Sequence, residues 1–204
     1  MKATVAQPAR RTQRERREET IGKLVEATIA SLLEVGYART SVAEICGRAG
    51  VSHGALFRHF DGVIQLILAA AAEVARRQLA DFDARFALVP AGDGRVLTAL
   101  TLLRDACRAP INTVFYELLI AARTDPDLHA ALAENLRAYY DAILAAAKRT
   151  PEIAALPAEI VEPLLFGLVH MFDGEALVRG VLASPEVEDL RLVMLARAIE
   201  SITR

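Results

Sequence analysis

Residues 41–60 read SVAEICGRAGVSHGALFRHF, and the phase of the apolar positions within this stretch decides the fold. Ser41 followed three residues later by Glu44 is the pattern of a capping box, in which a hydroxyl and a carboxylate satisfy the first free amides of a helix reciprocally. The helix so opened runs to about Ala49. Gly50 breaks it and can take the positive φ that a β-carbon would penalise, while Val51 plugs the angle between two crossing helices. Ser52 caps the next short helix. Its helical phase turns Val51, Leu56 and Phe60 inward and His53, Gly54, Ala55, Arg58 and His59 outward. Two short helices at a tight turn, the second with a bare polar face, form a helix-turn-helix pattern.

On the N-terminal side, Ile21, Leu24, Val25, Thr28, Ile29, Leu32 and Leu33 follow the spacing of an amphipathic helix that Gly36 is placed to end. On the C-terminal side, Val63 to about Phe86 reads as one long helix leading out of this head, ended by the loop Pro90–Gly94. Further helices are expected over Arg95–Arg108, Pro110–Arg123, Pro126–Lys148, within Pro157–Leu182, and over Pro185–Ile202, several with Pro in the first turn. No segment sustains the alternation of a strand, so the class is all-α. The organisation predicted is a basic flexible arm over 1–18, a three-helix head over 19–62 and a helical body over 63–204.

Charge divides the chain in the same way. Through Phe60 there are ten Lys/Arg against six Asp/Glu, and the remainder carries fourteen against twenty. Up to Arg17, Lys2, Arg10, Arg11, Arg14, Arg16 and Arg17 face only Glu15, which suits nucleic acid or an anionic membrane. No apolar run follows those arginines as in a secretory signal, so a cytosolic protein is expected. The uncharged stretch Pro163–Phe172 in the body's apolar helices is far short of a membrane span. Cys46 and Cys107 stand alone within apolar helical patterns and read as buried thiols.

Gly36-Tyr37-Ala-Arg-Thr40-Ser41-Val42-Ala-Glu-Ile45 and Ala49-Gly50-Val51-Ser52-His-Gly54-Ala-Leu56-Phe57-Arg-His59-Phe60 together resemble the head signature of the tetracycline-repressor (TetR) family of transcription regulators. The resemblance spans roughly Ile21 to Leu66. It implies that Thr40 or Ser41, Ser52, Phe57 and His59 lie against DNA phosphates, and that His53, Ala55 and Arg58, with Gly54 on the same face, meet the bases. A bidentate pair from Arg58 to guanine is worth about 1–3 kcal/mol of discrimination. Phe57 departs from the tyrosine usual in the family and Val63 from the usual lysine, which removes two backbone anchors. The basic arm can replace them through counterion release. The two departures keep open an alternative, a protein of this fold that binds ligand or partner with weak or lost DNA binding.

In the body, Leu164–Phe172 is apolar all round, and the last helix has a similarly broad apolar surface, so both must be covered on more than one side. The resemblance implies a homodimer through the last two long helices, with Gly167 and Gly174 seven residues apart on one face. Twofold symmetry matches paired recognition helices reading half-sites on the order of 34–36 Å apart. A small-molecule effector site is expected where polar groups interrupt apolar helices: Arg104, Asn112, Phe115, Tyr116, Tyr139, Phe166 and His170, with Tyr140 beside them. The expected mechanism is a repressor released from a near-palindromic operator when the effector shifts the long head-to-body helix. His53 and His59 are six residues apart, a poor spacing for a shared metal, and no metal or cofactor is expected. There is no Gly-x-Ser-x-Gly, Cys-x-x-Cys or phosphate-binding glycine loop, and the chain does not read as an enzyme.

Overall fold

In a computed structural model, which describes residues 12–202, every regular element is helical and no strand occurs among the described residues. The chain forms two compact units, one ending at Ala70 and the other running from Ala71. The division falls inside a helix, later than the break at Gly62 where the sequence ends the head.

The first unit contains α1 (Gln13–Val35), a 3₁₀ turn at Tyr37–Arg39, α2 (Val42–Ala49), α3 (His53–Phe57) and the start of α4 (Val63–Phe86). Its core is built from Leu24, Ile45, Leu56 and Leu66, all fully buried. Helix α1 begins earlier than the periodicity around Ile21 suggests. The Thr12 hydroxyl accepts the Glu15 amide at 3.2 Å while the Glu15 carboxylate accepts the Thr12 amide at 2.8 Å, so the reciprocal cap lies here. Residues 13–18, which the sequence places in the flexible arm, are therefore the first turns of α1, and 1–11 lie outside the described residues.

The cap expected at Ser41 and Glu44 forms only by half. Ser41 accepts the Glu44 amide at 3.2 Å, but the Glu44 carboxylate turns to Arg48 at 2.6 Å, and Arg48 also reaches Glu34 of α1 at 2.7 Å. A cation one turn away outcompetes the cap's backbone amide for that carboxylate.

The second unit holds the rest of α4, then α5 (Arg95–Arg108), a 3₁₀ turn at Pro110–Asn112, α6 (Thr113–Ala121), α7 (Pro126–Lys148), the short α8 (Pro151–Ala154), α9 (Ala158–Arg179) and α10 (Pro185–Ile202). The sequence did not anticipate α8, a single turn opened by Pro151. Leu100 and Cys107 of α5 pack with Leu168 and Phe172 of α9 and with Leu192, Ala196 and Ile199 of α10. Beside this core lies an ion network. Arg108 reaches Glu175 at 2.6 Å and Glu188 at 2.7 Å, Arg191 reaches Glu175 at 2.7 Å, and Arg104 reaches Asp189 at 2.8 Å. The two glutamates are almost wholly buried, which obliges each to keep its cation.

Candidate functional site

The head positions its polar face through α3. Ser52 caps the helix by accepting the Ala55 amide at 3.2 Å, and Leu56 and Phe60 anchor the opposite side in the core. Gly50 holds the turn before it with φ 64°. These anchors leave Ser52, His53, Gly54, Phe57 and Arg58 exposed, with Ala55 and His59 half-buried. The helix itself ends at Phe57, so Arg58 and His59 stand just past its last turn.

Of the two hydroxyls at the start of α2, only Ser41 is exposed. The Thr40 hydroxyl donates to the Gly36 carbonyl at 2.8 Å and lies 2.9 Å from Ser31, in a buried pair that ties the turn to α1. Thr40 is thus tied into the turn, and Ser41 is the hydroxyl of this pair that faces solvent. Phe57 is 54% exposed, an aromatic ring offered to solvent where burial would favour it.

Gly54 is informative because nothing in the chain requires it. A β-carbon there would meet nothing nearer than Ser52 Oγ at 4.0 Å, yet glycine inside a helix costs about 1 kcal/mol against alanine. A bare backbone on the outward face of α3 leaves room for a partner to approach closely.

The body contains a cavity of about 140 Å³ walled by Phe82 and Phe86 of α4, Phe115 of α6, Tyr139 and Tyr140 of α7, and aliphatic side chains of α5 and α9. Phe115 and Tyr139 stack with centroids 5.2 Å apart. One polar chain crosses this wall. The Tyr139 hydroxyl donates to Gln78 Oε1 at 2.9 Å, and Gln78 Nε2 donates to Asn112 Oδ1 at 2.9 Å. Asn112 Nδ2 in turn lies 2.7 Å from the Tyr116 hydroxyl and 3.1 Å from Asp173 Oδ1. The Tyr116 hydroxyl is 2.9 Å from Asp173 and 2.8 Å from the Cys107 carbonyl, so its single proton serves one of them at a time. Burial, and after it the negative charge of Asp173, pushes the Cys107 thiol and the Tyr116 phenol well above their usual ranges. Burial raises Tyr139 likewise. All three stay protonated donors at neutral pH.

Of the seven residues expected to line an effector site, Asn112, Phe115 and Tyr139 line this cavity. The other four do not. Arg104 is turned to Asp189, and Tyr116 sits behind the wall on Asp173. Phe166 packs on the Tyr140 ring at 4.9 Å, and exposed His170 has Nε2 3.1 Å from the Tyr140 hydroxyl. Both belong to the layer outside the cavity. Sequence reasoning missed Gln78, Asp173, Arg95 and Glu152 as lining groups. The available signal for Asp173 was its place as the first charge after an uncharged run of ten residues.

The face of α9 and α10 turned away from the core is apolar and uncovered. Leu177 and Val178 of α9 and Val187, Leu190 and Met194 of α10 are each roughly half exposed or more. Gly167 and Gly174 meet nothing within 4 Å of a built β-carbon. No helix among the described residues is long and apolar enough to cross a membrane.

Comparison with known proteins bears on both units. A family model described as bacterial regulatory proteins, tetR family, matches residues 24–70, which is the head. An uncharacterized HTH-type transcriptional regulator of Mycobacterium tuberculosis is 46% identical over 185 residues, covering 91% of this chain and 95% of that protein. The HTH-type transcriptional regulator CymR of Pseudomonas putida is 35% identical over 128 residues, 61% of this chain and 62% of that protein. Among solved structures, a putative TetR-family regulator from Rhodococcus sp. superposes with a TM-score of 0.67 at 19% identity, covering 91% of this chain and all of that one. At that identity it shows the fold alone.

Proposed function

The chain belongs to the TetR family of transcriptional regulators, which are not enzymes, and from that premise we propose that it is a dimeric repressor released from its operator by a small molecule bound in the body. The observation that carries DNA reading is the outward face of α3, where exposed His53, Arg58 and Ser52 surround a glycine that the chain's own packing does not need. Arg58 offers the bidentate pair to guanine, Ala55 an apolar contact to a thymine methyl, and Ser41 and Ser52 hydroxyls to phosphate.

The second part rests on the cavity. Its aromatic walls and few polar groups have the make-up of a ligand site. Helix α4 carries Leu66 of the head core and also Gln78, Phe82 and Phe86 of the cavity wall. A ligand that binds one position of α4 better than another would bias the head, by no more than its differential affinity. The homodimer follows from the uncovered apolar face of α9 and α10, which two copies would bury as a four-helix bundle, with Gly167 and Gly174 allowing close approach.

The test is fluorescence anisotropy on DNA selected from the chain's own genome, at several salt concentrations and with candidate effectors. Salt-dependent binding to a near-palindrome, reversed by one tight ligand, supports the proposal. Exposed Phe57, lacking a hydroxyl, favours the second reading of a ligand-binding protein with lost DNA affinity, and salt-independent or absent binding would establish it.

A further inference from the structure

We propose that the effector is a hydrophobic organic amine, bound as a cation with its N–H groups on Asp173 and its apolar body against the aromatic wall. This names the ligand class of the cavity described above and rests on that cavity being the effector site. Three charged side chains line it, the one cation Arg95 against the two carboxylates of Glu152 and Asp173.

Arg95 is already committed. Its Nε lies 3.0 Å from Glu152 Oε1, its Nη1 donates to the Val89 carbonyl, and its guanidinium sits 4.5 Å over the Phe86 ring. Asp173 is therefore the uncompensated charge. Its partners are all neutral donors, the Asn112 amide, the Tyr116 hydroxyl and the Cys107 thiol, and among the described residues it has no ion-pair partner. Charges taken out of water are as a rule paired, and a bound cation would supply the pair that Asp173 lacks. Glu152 Oε2, buried without a hydrogen-bond partner like the Arg95 Nε beside it, is a second acceptor at the cavity.

The rings complete the site. Phe82, Phe86, Phe115, Tyr139 and Tyr140 line the cavity, and the negative quadrupole of an aromatic face attracts a cation. The buried phenols remain protonated, so none of them supplies a charge of its own. An anionic ligand would meet the field of Asp173 with only a paired arginine to offset it. A neutral apolar ligand would fill the volume and leave Asp173 uncompensated.

Isothermal titration calorimetry of the full chain at pH 7 tests this with three matched probe sets, phenylalkyl chains of one, four and six carbons ending in amine, alcohol or carboxylate. The expected result is that in at least one set the amine binds more than about tenfold tighter than the alcohol, and the carboxylate weaker than either. Asp173→Asn, checked for folding by its thermal melt, should bring the amine to within about threefold of the alcohol in that same variant. Alcohols or carboxylates binding as tightly as amines in the unmodified chain would overturn the ligand class while leaving the cavity as a binding site. An amine preference that survives Asp173→Asn would overturn the role of Asp173. No binding by any probe would overturn the ligand class together with the effector cavity itself.

Discussion

Gly54→Ala should move stability and DNA affinity in opposite directions. Helix α3 has only five residues, His53–Phe57, and Gly54 is its second. A methyl there has Ser52 Oγ at 4.0 Å as its nearest neighbour, which is ordinary van der Waals contact, so the substitution introduces no clash within the chain. Alanine gains up to about 1 kcal/mol over glycine in a helix interior, and about half of that is reasonable in a first turn. For a unit the size of the head this corresponds to a rise of about 2–4 °C in its melting temperature. On DNA the same methyl occupies the space through which the backbone is approached. A loss of about 1.4 kcal/mol per head, tenfold in affinity, is expected. Circular-dichroism melts and fluorescence anisotropy on an operator fragment read the two effects separately. Gly47→Ala is the control: it too is open in α2, away from α3, and should stabilise without weakening DNA binding. If Gly54→Ala stabilises the head and leaves affinity unchanged, the inference that a partner approaches this backbone is refuted. If it destabilises the head, the open environment assigned to residue 54 is wrong.

Other outcomes follow from the same structure. Arg58→Ala should cost about 1–3 kcal/mol per half-site on the best sequence and flatten discrimination at one base pair, as read by binding to single-substituted operators. Leu190→Glu combined with Met194→Glu should give a folded monomer in analytical ultracentrifugation, because both side chains are about 60% exposed in the single chain and leave its core untouched. The Ser184 amide, and after it Arg108 and Arg179, holds Glu188 below the usual carboxylate range. Its stabilising share is therefore present at neutral pH, above the unfolded value, and is lost as pH falls through the lowered folded value. Glu188→Gln should remove that part of the acid limb in melts run across pH. Burial pushes the Cys46 and Cys107 thiols up, so Ellman's reagent at pH 8 should find no reactive thiol in the folded chain and two after denaturation.

The head was legible because its determinants are local. Gly50, Ser52, Leu56 and Phe60 lie within eleven positions and each acts on its own turn or helix. Thr40 could not be separated from Ser41 in this way, because the hydroxyl that claims it, Ser31, sits nine residues back on another helix. The half-formed cap at Ser41 has a similar origin, since Glu34 and Arg48 meet only once α1 and α2 have packed. In the body the helices were legible and their faces were not. The stretch Leu164–Phe172 of α9 is apolar all round, so sequence phase could not say that Phe166 and His170 lie outside the cavity while Asp173, just after it, lies on it. Arg104 looked like a polar group in an apolar helix because its partner, Asp189, is 85 residues away. Gln78 was hidden in an alanine-rich helix whose other residues gave no sign of a site.

The central claim is that a symmetric pair of α3 faces reads DNA and that the body controls it. Selection of bound fragments from random DNA by the intact chain, followed by anisotropy on the winner across salt, tests it most directly. The account predicts a near-palindrome with half-site centres about 34 Å apart and an affinity that falls steeply and linearly with salt on logarithmic axes. Fragments without twofold symmetry, or a binding constant indifferent to salt, would contradict it.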